Sequence, residues 1–434
     1  MSPTRGWLPS LSIRRSRRAL QDAAKCLLIV SLACGGKVLV SWNSGTARRD
    51  AVLRDSVPAC LAEDGVATRL AANLELARLA RELHAKTQAA ARGGLWPDER
   101  ARSALHRGLE PPSATAAPPR PKRFARDGPL EVVAFVDAML PNGLDIFRAA
   151  RRDVFEPFVR ELEAALAQGG TDADARAHAE VAAGVHWPEE HTAHTIALVF
   201  SEHPSLLDGA ARATWRRIES AEIDTLAQTL ELHARGATRA AAGATARSER
   251  ACRVSAAIEL RVHGYAVTPD GSMLMLLEEA LHEPARGSSR GAGGGFGALR
   301  SRLQAHGEAT LGTLNSRPKK LIHVTCGRLL AWPGDARPDG SRGAALGADA
   351  AARVGRVAQR WSEHLARGTL PPPPGGADDD AAARGGLRVP NLGARLAVNE
   401  LELVRDLEWM MGSCAIASAP ACMCDSEVLP LLRR

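Results

Sequence analysis

Leu321-Ile322-His323-Val324-Thr325-Cys326 is an apolar run broken by two polar side chains, His323 and Thr325. Side chains two apart on a strand share a face, so this run places an imidazole beside a hydroxyl. That pair can hold a phosphate. The run reads as a strand extending to residue 330, and the rest of the chain is interpreted outward from it.

Upstream, residues 130–136 form a β-like run, and residues 154–166 carry Phe155, Phe158, Val159, Leu162 and Leu166 at helical spacing. Residues 192–200 predict a second strand, followed by helix over 215–234. Residues 256–262 and 272–278 flank Thr268-Pro269-Asp270-Gly271, a turn sequence that predicts a hairpin. Helix is expected over 296–305 and, past the central run, over 351–367, with a last strand opening in 395–409. This order predicts an α+β fold. Segments 284–297, 334–347 and 371–386 are rich in Gly, Arg, Asp or Pro and read as loops. Gly293-Gly294-Gly295 follows no strand of a βαβ unit, so it is not read as a phosphate cradle.

The 434 residues leave room for appendages around the core. The division expected is a targeting or signal-anchor segment over 1–49, a helical stem over 50–110, a Pro/Ala-rich linker over 111–127, a folded domain over 128–410 and a tail over 411–434. Arg14, Arg15, Arg17 and Arg18 precede an apolar run at 26–42 that contains Gly35, Gly36 and Lys37 and is short for a full membrane span. A signal-anchor, a cleaved signal followed by a transit-like stretch, and a buried helix all fit it. The reading adopted is membrane contact through 26–42, with a secretory-pathway location, or targeting to an organelle such as the plastid. In the stem, Leu70, Leu74, Leu76, Leu79 and Leu83 form an apolar stripe. A net charge of +7 permits binding to polyanions or membrane surfaces, although much of the Arg excess lies near the N-terminus and in loops. The eight cysteines show no zinc spacing; Cys414, Cys422 and Cys424 could form a disulfide or remain free thiols.

Two histidines facing a cleft can cleave a phosphodiester without a metal. One takes the proton of the attacking oxygen, the other protonates the departing one, and hydroxyls beside them donate to the charged phosphate oxygens. The order of elements from 130 to 404, with the His323-Val324-Thr325 strand and the closing Leu401-Glu402-Leu403-Val404, resembles the 2H phosphoesterase superfamily, which includes LigT-like RNA cyclic phosphodiesterases. The resemblance covers residues 128–410. It implies two lobes of antiparallel sheet with outer helices and a cleft carrying two His-x-Thr/Ser motifs. His323 would then be catalytic and Thr325 its phosphate-binding partner.

The first motif departs from that pattern. His194 stands best at the head of the second strand, but two residues on is Ile196, and Thr195 points to the other face unless a bulge re-aims it. His191 is the alternative, followed by Ala193. The expected site is His323 and His194 as the acid/base pair with Thr325 and Thr195 on phosphate, using no cofactor and no metal, although His186, His191 and His203 crowd the same stretch. The substrate expected is a cyclic or linear phosphodiester of RNA or a nucleotide; no protein partner is legible. The rival expectation is a degenerate domain that binds a ligand without catalysis. Lys319 and Lys320 could draw an anion to the cleft, and Trp187 and Trp332 could stack a base or belong to the core.

Overall fold

A computed structural model describes residues 66–110, 121–124, 128–207, 209–226, 258–281, 295–312, 321–335, 345–372, 387–398, 401–405 and 426–429. The elements in order are α1 (Val66–Arg92), α2 (Glu99–His106), β1 (Leu130–Phe135), β2 (Met139–Leu140), α3 (Gly143–Ala150), a π-helical turn (Arg151–Phe155), α4 (Glu156–Ala167), α5 (Asp172–Gly184), β3 (Val185–His186), β4 (His194–Ser201), α6 (Gly209–Ala213), β5 (Ile258–Val267), β6 (Ser272–Glu279), α7 (Phe296–Leu311), β7 (Ile322–Leu329), α8 (Ala348–Ala366), β8 (Arg395–Val398), β9 (Leu401–Arg405) and β10 (Ser426–Leu429). The fold is α+β.

The strands form two sheets, ordered β10-β9-β1-β4 and β2-β8-β5-β6-β7-β3. Their pairings are antiparallel. One face of each sheet contributes to a common core. Leu130, Val132 and Ala134 of β1 meet Phe147, Phe155, Phe158 and Leu162 from the helices that follow, and Met273, Met275, Ile322 and Val324 join from the larger sheet. The opposite faces carry smaller clusters: Val133, Phe135, Ile196 and Val404 on the first sheet, and Ala266, Leu274 and Leu276 on the second, where Ala80 of α1 covers them.

The leucine stripe predicts the helix α1 but not the face it buries. Leu70 and Leu74 are 47% and 63% exposed, while Asn73, Leu76, Ala80, His84, Thr87 and Ala91 turn inward at three- and four-residue spacing. Polar side chains on that face bond to the sheet. Asn73 donates to the Glu279 carbonyl at 2.8 Å and accepts from its N–H at 2.9 Å, and Thr87 donates to the Val267 carbonyl at 2.8 Å. The segment expected as a stem thus packs along the β5–β6 hairpin and against α8.

The expected membrane anchor is corrected. Among the described residues no helix is long and apolar enough to cross a membrane. The longest, α1, has 27 residues but carries Arg69, Glu75, Arg78, Arg81, Glu82 and Lys86 along its length. The localisation drawn from that anchor is withdrawn with it. Residues 26–42, the tail cysteines, Lys319 and Lys320 lie outside the described residues.

Candidate functional site

On β7, His323 stands opposite Leu276 of β6 and Thr325 opposite Leu274, so both project from the face turned away from the common core. Both are half-buried. Ile322, Val324 and Cys326 face inward, and burial pushes the Cys326 thiol far above its ordinary range. The register slips beyond Thr325: Leu274 pairs with Thr325 and Met273 with Gly327, which leaves Cys326 as the extra residue. This bulge returns Arg328 to the face of Thr325. Its guanidinium donates to Thr325 Oγ1 at 3.3 Å and to Ser272 Oγ at 3.1 Å. Burial disfavours its charge, a loss partly offset by Asp270.

Across β3, His186 pairs with Arg328. Burial, then Arg328 and Arg151, lower the pKa of His186 below the ordinary imidazole range, against a smaller opposing pull from Glu189. The next residue, Trp187, lies under Arg151 at 5.0 Å and packs against Gly327, where an added Cβ would come within 2.7 Å of the indole. Trp332 belongs to the core, edge-on to Trp96 at 5.7 Å.

On β4, Phe135 pairs with His194, Ala134 with Thr195 and Val133 with Ile196. Here too a bulge occurs, but at Ala197, beyond the residue it would have to re-aim. Thr195 therefore points into the core, 1% exposed, its Oγ1 without a hydrogen-bond partner. Ile196 occupies the position on His194's face where a hydroxyl was sought, packed with Val133, Phe135 and Val404. His194 Nδ1 lies 2.8 Å from the Thr192 carbonyl oxygen. A carbonyl only accepts, so Nδ1 carries the proton. Its Nε2 lies 3.9 Å from the buried Glu131 carboxylate.

The other histidines of this stretch have local partners. His191 sits on the 3₁₀ turn Glu190–Thr192 with Nε2 3.1 Å from Glu189, and His203 accepts from the Ser205 N–H at 3.1 Å. No group of three or more His, Cys, Asp or Glu side chains is placed to hold a metal ion among the described residues.

One side chain ties the two histidine strands together. Arg300, on α7, donates through Nε to the Ala197 carbonyl at 2.9 Å and through Nη2 to the carbonyls of Ile196 at 2.8 Å and Leu321 at 3.1 Å. These carbonyls belong to the free edge of β4 and the entrance to β7, so the clasp holds both at fixed spacing. Burial lowers the Arg300 pKa to about 10, against the opposing influence of Glu279. The structure brings His194, His323 and Thr325 to faces turned away from the core and sends Thr195 into it. Arg328, Arg300 and Glu131 are additional to the residues marked by sequence. No family model, curated protein or solved structure matches this chain.

Proposed function

We propose that this protein is a two-lobed 2H-type phosphodiesterase that cleaves a cyclic or linear phosphodiester of RNA or a nucleotide. His323 and His194 exchange protons with the attacking and leaving oxygens, while Thr325 and Arg328 hold the phosphate. The chemistry needs no metal, because imidazoles supply both proton transfers. The observation that carries this reading is the Arg300 clasp, which sets side by side two strands whose histidines both project away from the core. Arg328, bonded to the Thr325 hydroxyl, adds a cation where negative charge would collect. The purified protein should open a 2′,3′-cyclic nucleotide in the presence of a chelator. His323→Ala and His194→Ala should each lower kcat by about 10²-fold or more. A folded protein that turns over no member of a panel of cyclic and linear phosphodiesters rules the enzyme out.

The burial of Thr195 and the presence of Ile196 in the hydroxyl's place favour a second reading, a domain that binds the phosphodiester and leaves it intact. Calorimetry separates the two, since binding without turnover, abolished by Thr325→Ala, belongs to that reading alone.

A further inference from the structure

The helices α4 and α8 cover the common core with Phe158, Leu162, Val357 and Trp361, and along their contact runs a groove of about 530 Å³. It lies apart from His323 and Thr325, which project from the face of β7 turned away from that core. Arg353, Arg356 and Arg360 of α8 line it, at the three- and four-residue steps that put side chains on one helical face. Two carboxylates line it with them, and both have partners: Glu161 meets Arg360 and the Trp361 indole N–H at 2.7 Å, and Glu363 accepts from Gln359 at 2.8 Å. Arg356 is exposed and makes no hydrogen bond or ion pair with the described residues. Arg353 is braced by its Nε, which donates to the Ala165 carbonyl at 2.8 Å, while its Nη2 stands 3.7 Å from Asp174 Oδ1, beyond hydrogen-bond range. A Cβ at Gly169 would fall 1.9 Å from Asp174 Oδ2 and 2.6 Å from Arg353 Nη2, so this approach requires glycine there. Arg353 Nη2 and Arg360 Nε are buried atoms with no acceptor among the described residues. A buried N–H without an acceptor is costly, and a bound group that supplies the acceptor removes that cost.

We propose that the α4–α8 groove binds a phosphate group, free or carried by a small molecule, whose oxygens accept from Arg353 Nη2 and Arg360 Nε and pair with Arg356. Three guanidinium groups call for three acceptor oxygens, which a phosphate has and a single carboxylate lacks. The ion pairs and carbonyl bond that brace Arg353 and Arg360 hold their N–H groups in place before the anion arrives. The volume of the groove also suits a body of nucleotide size beside the phosphate. This site is independent of the phosphodiesterase chemistry on β7 and stands or falls separately from it.

Titration calorimetry of the full chain with inorganic phosphate and with adenosine 5′-monophosphate tests the proposal. Saturable binding of at least one of them is expected, with a Kd of about 1 mM or below. Arg356→Glu removes no bond of the fold and should weaken that binding by about 10-fold or more, and Arg360→Gln should do the same. Arg356→Lys, which keeps the charge, should retain most of the affinity. Tighter binding of the monophosphate identifies a phosphorylated small molecule as the occupant, and tighter binding of inorganic phosphate identifies the free ion. Failure of both to saturate by about 10 mM overturns the proposal, as does an unchanged Kd in folded Arg356→Glu. A loss confined to Thr325→Ala would place the phosphate on β7 and overturn it as well.

Discussion

Ile196 is the residue at which the two halves of the proposed site differ most. It sits two positions after His194, as Thr325 sits two after His323, but it packs with Val133, Phe135 and Val404 instead of offering a hydroxyl. Ile196→Thr should therefore raise kcat/KM on a cyclic nucleotide by about 10-fold, the effect of one further donor on the phosphate. It should also lower stability by about 1–2 kcal/mol, because a methyl-lined position receives a polar group. Ile196→Val, which brings no hydroxyl, is the control; a rate gain there would show that space and not hydrogen bonding limits the site. Residue by residue, the site was legible where strands are regular. His323 and Thr325 share a face because β7 alternates through them, and His194 and Thr195 oppose each other for the same reason. Arg328 was not legible, since strict alternation assigns it to the other face and only the bulge at Cys326 returns it.

Among the elements, α1 shows best what hydrophobic spacing conceals. A helical stem was expected over 50–110; α1 occupies Val66–Arg92 of it, and its buried stripe includes Asn73, His84 and Thr87, whose polarity hides the periodicity, while the more conspicuous Leu70 and Leu74 face solvent. Two other helices escaped for different reasons: α3 has only 8 residues, too few to show a period, and α5 buries only the small Ala177 and Gly184 beside Val181. The hairpin, by contrast, was legible from its turn, where Gly271 takes φ 83°. The buried polar face also couples stability to pH. His84 lies 3.2 Å from Ser362 Oγ of α8, and burial, with a smaller push from His263, lowers its pKa to about 4. In the unfolded chain it titrates near 6.5, so between these values the unfolded state binds the extra proton. The neutral ring's contribution is complete above about pH 6.5 and disappears as pH falls toward 4. Thermal melts should fall across that window by up to about 3 kcal/mol of stability, and His84→Gln should flatten the dependence. A native-like slope in His84→Gln would place the titration elsewhere.

At the scale of the molecule, two guanidinium groups, one buried and one half-buried, join elements distant in sequence. Arg102 of α2 donates to the carbonyls of Leu329 at 2.7 Å, Leu330 at 3.2 Å and Asp270 at 3.1 Å, and pairs with Asp335, fixing α2 to the end of β7. Arg300 does the same between β4 and β7. Arg300→Met leaves three carbonyls without their donor and should cost about 3 kcal/mol, read as a lower urea midpoint at unchanged m-value. Arg300→Lys keeps the charge but not the planar fork and should recover less than half of that loss. A loss below about 0.5 kcal/mol in Arg300→Met would mean that the strands hold their spacing without the clasp. Neither arginine was legible, because what marks them is the carbonyls they meet, and those are set by tertiary packing alone. The smaller sheet has a consequence of another kind. Its inner strand β1 pairs on one edge with β9, which follows it far along the sequence, so that edge stays open until β9 has been synthesised. A chain truncated before residue 401 therefore presents an unpaired β edge to its neighbours.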